Sequence, residues 1–502
     1  VSLLALSLVA LPAAAAGFLR EPAEAGVHQQ GSPHLRRGVE LLRSNNIDAA
    51  IVELEAAVAE QPANPAAQYF LGRALMLAGR NVEAIVHLDT ALPTAADRGT
   101  VQLVRGEVLL ALDRLEEAQA ALDEADAARP GYPPIAYHLA ELCYRAGKPE
   151  KAMEKFAAAA AISPKWTAPS MRAGEIAVEM GDAERAAEFY RTVIEIAPDE
   201  PVFWIRYGDA LAALPDFEAA VEAYRQAVAV NPDFPPARLA LGYLYFNEQQ
   251  FEPAERVLEE FLERWPSTAQ AQVPLAEIRM INGEHEAALA LIESAFEEVE
   301  QAARISAESA GDPRGPLAVG IRELQAQILM NLDRLDEAEN VARILLEVDP
   351  RNLDAMFVLG SALARKGDLE GREHLVRFKT LSDAREATEM GMQQLMEAHN
   401  PDAASEEFQR ALALDSENLQ ALQGLGAAQV AMGHYREAVL TLTKARQAGA
   451  GGVEWFREWV IALYGDGRED EARLAWREAR SAGLTLGPRV WTLLKDAGEA
   501  CQ

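Results

Sequence analysis

An all-α chain, folded as an α-solenoid of stacked helix-turn-helix units, is predicted by three regularities of the sequence. A helix-stopping signal recurs: stepping 34 residues from Pro232 meets Pro198, Pro164 and Pro130 backwards and Pro266 forwards, with Pro62 in phase further up. Proline removes a backbone donor and biases the residue before it away from helix, so each marks a turn between helical stretches. Alanine keeps the same step from Ala50 through Ala84, Ala118, Ala152, Ala186, Ala220 and Ala254 to Ala288. Twelve places before each alanine stands a small residue: Gly38, Gly72, Gly106, Ala140, Gly174, Gly208, Gly242 and Ala276. Four places after each stands a large apolar one: Leu54, Leu88, Leu122, Phe156, Tyr190, Tyr224, Leu258 and Ile292. Two antiparallel helices approach closely only where small residues face each other, and the bulky ones are expected to fill the groove towards the next pair.

In chain order, VSLLALSLVALPAAAAG is a short apolar run ending in small residues, with Ala14 and Ala16 placed for cleavage before Gly17. Residues 1–16 are therefore expected to be a secretory signal, although a basic leading region is missing and the first residue is valine. A membrane anchor is the competing reading, against which the run is short and interrupted by Pro12. No cysteine lies near residue 17 to carry a lipid, and residues 17–30 look like a flexible leader. Eight windows beginning at 31, 65, 99, 133, 167, 201, 235 and 269 then fill residues 31–302. The next in-phase alanine after Ala288 is Ala338, a gap of 50 rather than 34, which locates a 16-residue insertion at 303–318. Its Gly311, Pro313, Gly315 and Pro316 give it the composition of a loop or hinge. Weaker windows near 319, 353, 385, 419 and 453 make about five further units over 319–486. Departures are visible: Ala96 stands where proline is expected, and Arg372, Met392 and Val460 break the small-residue rule. Residues 487–502 are expected to be a C-terminal capping helix and tail, with Val490, Trp491, Leu493 and Leu494 on one side.

Small residue, alanine, bulky residue and proline in this order resemble the tetratricopeptide repeat, a 34-residue helix-turn-helix unit. The best single copy runs from Pro201 to Phe234, with Trp204, Tyr207, Gly208, Ala220, Tyr224, Ala227 and Pro232 at matching positions, and the resemblance covers nearly the whole chain. It implies a right-handed α-solenoid in which the first helix of each pair lines a concave groove whose positions two, five, nine and twelve face a ligand. Helical spacing independently puts those positions on one stripe. Position nine yields Glu107, Glu141, Glu175 and Asp209 in four successive windows, a ladder of carboxylates, then Tyr243 and Glu277. Around it stand Tyr69, Tyr137, Tyr144, Met171 and Phe246, with Arg73 and Arg145 as internal cations able to consume part of the ladder. Such a stripe suits an extended or helical protein segment that brings Lys or Arg to the acids and apolar side chains to the aromatics. In the chaperone-binding members a Lys/Asn clamp occupies these positions; acids and apolar residues stand here instead, which argues against that role.

The charge balance bears on partners. Acidic residues number 78 against 47 basic, a formal net charge of −31, without a basic run that would attract nucleic acid or anionic headgroups. Two readings of the acidity stand side by side: basic partners, or solubility of an alanine-rich helical surface. The two cysteines, Cys143 and Cys501, lie many repeats apart; Cys143 falls on the inner spacing of a first helix, and a disulfide between them would need the tail to fold back. No catalytic or metal-binding motif emerges: Gly283-Glu284-His285-Glu286 sits in the turn of its repeat without a second histidine at ligand spacing. No cofactor is implied. Beyond the signal, no stretch is apolar and long enough to cross a bilayer. The expected function is that of a non-enzymatic exported scaffold, periplasmic or extracellular, holding a protein or peptide; the alternative is an accessory component of an envelope assembly or polysaccharide-export machine. An enzyme in the second half is the weakest reading, because the repeats leave no room for another fold.

Overall fold

The computed structural model describes residues 32–306 and 316–482, together with Leu484 and Val490. Among these residues there are 25 α-helices, one short 3-10 turn and no strand. Two compact units divide the chain after Leu244. The first pairs α1 (Pro33–Arg43) with α2 (Ile47–Glu60), α3 (Pro65–Leu77) with α4 (Asn81–Ala91), and α5 (Arg98–Ala111) with α6 (Leu115–Ala128). It continues with α7 (Pro133–Arg145) and α8 (Pro149–Ile162), α9 (Ala168–Glu179) and α10 (Ala183–Ile196), then α11 (Pro201–Ala212) and α12 (Phe217–Val230). Helix α13 (Pro235–Asn247) spans the division. The second unit holds α14 (Phe251–Arg264), α15 (Ala269–Ile281), α16 (His285–Ser306), α17 (Pro316–Asn331), α18 (Leu335–Val348) and α19 (Leu353–Arg365). It ends with α20 (Glu370–Met396), α21 (Pro401–Leu414), α22 (Leu419–Ala431), α23 (Tyr435–Gln447), α24 (Val453–Gly465) and α25 (Glu469–Ser481).

The turn inside each pair follows a period of its own. Asn45, Gly79, Asp113, Gly147 and Gly181 all have positive φ at a step of 34, so each first helix stops in the left-handed conformation. At Gly147 the stop also satisfies the helix end: its N–H donates to the Tyr144 carbonyl at 2.9 Å, and Lys148 N–H to that of Cys143 at 2.9 Å. The second helix is then capped, where the sequence allows, by an Asn or Asp side chain such as Asn46, Asp182 or Asp216.

Within a pair, the eight in-phase alanines are fully buried. The bulky residue, expected to fill the groove towards the next pair, instead lands on the small residue of its own pair. A Cβ built on Gly38 would lie 2.5 Å from Leu54 Cγ, on Gly106 2.7 Å from Leu122 Cγ, and on Gly174 2.5 Å from Tyr190 Cε1. The sixteen-residue offset is the length of one antiparallel return. At these glycines a large side chain lies flat across the Cα, while Ala140 and Ala276 fill the same position in two other repeats, and in the first three pairs the apolar contacts join one core from Leu35 to Leu142.

Between pairs, the recurring proline acts through its carbonyl. Gln68 Nε2 donates to Pro62 O at 2.8 Å, Trp204 Nε1 to Pro198 O at 2.8 Å, and Gln272 Nε2 to Pro266 O at 2.9 Å. Each bond ties the turn to the fourth residue of the following repeat, so the stop signal is also a hydrogen-bonded joint. Where Ala96 replaces proline, the break is made by a 3-10 turn over Leu92–Thr94 containing Pro93, and Asp97 caps α5 by accepting from Thr100 N–H at 3.0 Å.

The windows at 353 and 385 do not stay separate. They lie 32 rather than 34 residues apart, and Ala384 occupies the proline position, so the second helix of one and the first of the next fuse into the 27-residue α20. The two-residue deficit shifts the register. Gly371 takes the close approach beside Arg372: its Cβ would lie 2.6 Å from Ala364 N. Gly391 does so beside Met392, 2.7 Å from Phe408 Cε1, and Phe408 is pressed against Gly424 from the other side. Val460 fits its small-residue position by being fully buried. Helix α16 runs to Ser306 and α17 begins at Pro316, and Ile292 and Ala295 share a core with Ile321 and Leu329. Residues 307–315 of the insertion, the signal and leader over 1–30, and all of the terminal helix except Val490 lie outside the described residues. Val490 is buried in the core of the last pair with Trp455 and Ala472.

Two outcomes are expected. Gly174→Ala should cost about 1–3 kcal/mol in urea denaturation, and the cost should shrink in a Tyr190→Val background, because the added methyl meets a ring that can no longer be there. Ala384→Pro should cost about 3 kcal/mol or more, as proline does inside a helix, although the same register position carries proline in most other repeats.

Candidate functional site on the first-helix face

The candidate stripe is built from α3, α5, α7, α9, α11 and α13, and the structure sorts its residues into three groups. Tyr69 is 2 % exposed, edge-on to Phe70 at 5.0 Å, and belongs to the core rather than to an open face. Position five of that repeat is part of the core shared by the first three pairs. Asp209 is drawn in as well: it accepts from the Tyr224 hydroxyl at 2.7 Å, and burial pushes its carboxyl above the ordinary aspartate range, against the pull of that bond and of Arg206. Burial likewise pushes the Tyr224 phenol up, with the Asp209 charge adding to it.

The second group gathers around one cation that position-by-position reading passed over. Arg172 of α9 donates to both carboxylate oxygens of Glu141, at 3.2 and 3.3 Å, and to Glu175 at 3.1 Å. Its guanidinium carbon lies 4.7 Å from the centre of the Tyr144 ring, and the Tyr144 hydroxyl donates to Glu179. Burial works against the charge on Arg172, and hydrogen bonds and attraction from Glu141 and Glu175 outweigh it. Two rungs of the ladder are thus joined by a cation from within. Arg145, an expected partner, lies 3.8 Å from Glu141 but spends a donor on the Leu110 carbonyl at 2.9 Å. The sequence held a trace of this cluster, since Arg172 stands three residues before Glu175.

The third group remains on the surface. Glu107 and Glu175 side chains are 38 % and 42 % exposed, with His138 at 3.8 Å from Glu107. Tyr137 is half-buried between Phe156, at 5.0 Å, and Trp166, at 5.3 Å; burial raises its phenol, and the Glu141 charge raises it further. Arg73, Tyr144, Met171 and Tyr243 are half-buried. Phe246 falls in the second unit, half-buried and 6.2 Å from the Phe251 ring. There too, Glu277 has its carboxyl pushed up by burial. Cys143 is half-buried with a free thiol, less enclosed than its inner spacing suggests. No group of three metal-ligating side chains occurs among the described residues, nor any helix long and apolar enough to cross a membrane. What the arrangement offers chemically is alternating carboxylates and aromatic edges, suited to cations and apolar side chains.

Tetratricopeptide repeat families match residues 41–107, 109–173 and 395–455, and residues 324–371. The middle TPR-like domain of cilia and flagella-associated protein 70 matches residues 171–310. No curated protein matches the chain. Among solved structures it is similar to a thermophilic TPR protein of Thermus thermophilus, at 26 % identity over 36 % of this chain and 97 % of that one, with a TM-score of 0.32. It is similar also to a tetratricopeptide repeat protein of Parabacteroides merdae, at 17 % identity over 53 % and 98 %, TM-score 0.35. PilW, a widely conserved type IV pilus biogenesis factor, shares 21 % identity over 45 % and 98 %, TM-score 0.35.

The raised carboxyl of Asp209 has a defined consequence for pH. A carboxyl whose folded value lies above its unfolded one adds stability below the unfolded value and loses it as pH rises through the folded value. Asp209→Asn, which keeps an acceptor for Tyr224, should therefore raise the thermal midpoint near neutral pH and leave it unchanged near pH 3, measured by circular dichroism across that range.

Proposed function

Because the chain is a tetratricopeptide repeat protein, we propose that it is a non-enzymatic scaffold that holds a segment of a partner protein along the face of α5, α7 and α9. One observation carries this reading. Glu107 and Glu175 sit at the same place in their repeats, each partly exposed, Glu175 with one oxygen held by Arg172 at 3.1 Å and the other left for a partner, and the half-buried Tyr137 and Tyr144 stand between them in sequence. A partner that brings Lys or Arg to the two acids and an apolar side chain to the tyrosines uses every group on that face. Glu141 is left out of recognition, because Arg172 already satisfies both of its oxygens. The segment is basic and apolar, and the partner is a protein rather than a nucleic acid, which the net charge of −31 repels. The apolar run before Gly17 supports export to the periplasm or beyond.

Exposed pairs are each worth up to about 1 kcal/mol and weaken with screening. Tagged chain should capture its partner from periplasmic extract at low salt and release it at high salt. Glu107→Gln with Glu175→Gln should lower the amount captured at low salt by about fivefold, with the helical circular dichroism unchanged. A captured set that is the same for the variant and at both salt levels would remove this face from consideration.

A further inference from the structure

The register shift in α20 has an outcome that the regular repeats lack. Its second half buries Ala384, Ala387, Thr388 and Gly391, the inner stripe at helical spacing. Three methionines are turned outward: Met390 is 40 % exposed, Met392 41 % and Met396 66 %. Met392 stands where the register would bury a small residue, and it is displaced because Gly391 has taken that contact with Phe408. The outward face is a shallow hollow in which the methionines alternate with Glu386, Glu389, Gln393 and Glu397. Glu389 holds Arg385 at 2.9 Å and Glu397 holds Gln393 at 3.1 Å. From Glu386 to Gln409 there is no lysine or arginine, while Glu386, Glu389, Glu397, Asp402, Glu406 and Glu407 are all acidic.

We propose that this half of α20 is a second docking face, and that its occupant is a basic amphipathic helix of a partner protein. Methionine is unbranched and polarizable, so exposed methionines adapt to apolar side chains of differing shape. Arg385 pairs with Glu389 and Arg410 with Glu407 at the two ends of this stretch, so Glu386 and Glu397 are the acids that select lysine or arginine on the helix flanks. The face lies wholly in the second unit and shares no residue with Glu107, Tyr137, Tyr144 or Glu175, so it stands independently of the reading given for α5, α7 and α9.

The test uses the full chain with 13C-methyl methionine and three probes: an amphipathic Leu/Lys helical peptide, an oligolysine of equal charge, and a Leu/Glu counterpart. The Leu/Lys peptide should shift the methyl resonances of Met390, Met392 and Met396. Its affinity should fall about tenfold in the triple variant Met390→Gln, Met392→Gln, Met396→Gln, whose sites are exposed and leave the fold intact. It should fall several-fold in Glu386→Gln, Glu389→Gln, Glu397→Gln, and the Glu107→Gln, Glu175→Gln variant should leave the methionine shifts in place. The proposal is overturned if those three methyls do not move, if oligolysine or the Leu/Glu peptide moves them equally, or if the methionine variant binds as the parent does.

Discussion

The contact on which the rest of this structure depends is a large side chain lying across a glycine sixteen residues away. Leu54 on Gly38, Leu122 on Gly106 and Tyr190 on Gly174 repeat it along the first unit, each closing one helix pair at a single point. A Cβ there would overlap the side chain that crosses it, so the spacing between the two helices is set by the absence of one carbon atom. Once the pair is closed, its apolar surface is still only partly covered, and the following pair must supply the remainder. Stacking is then a consequence of packing inside the unit, and the proline joint adds direction to it by accepting a hydrogen bond from the next first helix.

Charge is distributed by a different rule. The chain carries a large excess of acid, yet on the candidate face the carboxylates differ in what they can do. Glu141 and Glu175 are bonded to Arg172, on both oxygens and on one, Asp209 is enclosed with Tyr224, and Glu107 stays open. Four residues equivalent in the repeat therefore have three physical states, decided by what the neighbouring helix places against them. Burial sets Asp209 apart further, since a carboxyl withdrawn from water resists ionisation. A ladder read as four equal rungs is better described as one open acid, Glu107, beside a cluster in which Arg172 joins Glu141 and Glu175, with Asp209 enclosed beyond it.

Irregularity is informative in the same way. The loss of two residues between the windows at 353 and 385 removes a turn and fuses two helices, and the packing glycines slip by one position to Gly371 and Gly391. The side chains of Arg372 and Met392, which broke the pattern, are released to solvent as a result. Substitution of the regular residue and displacement of the register are two aspects of one local change, and the exposed methionine face follows from it.

Much of the architecture was legible in the residues themselves. The stacked helix pairs and the recurring alanine, small and bulky positions from Ala50 to Ala288 follow from a 34-residue period, because helical spacing and proline stops are local properties. The left-handed turn at Asn45, Gly79 and Asp113 keeps the same step, but three residue types carry it, so no single letter of the sequence marks it. What tertiary structure alone decided was which partner each periodic position meets: Leu54 on its own glycine rather than on the next pair, Tyr69 in the core, Arg172 between two acids, Phe408 between Gly391 and Gly424. Apart from Arg172 with Glu175, three residues on, those pairings join residues sixteen to thirty-one places apart, and their outcome depends on side-chain size and reach at both ends, which a period along the sequence does not encode.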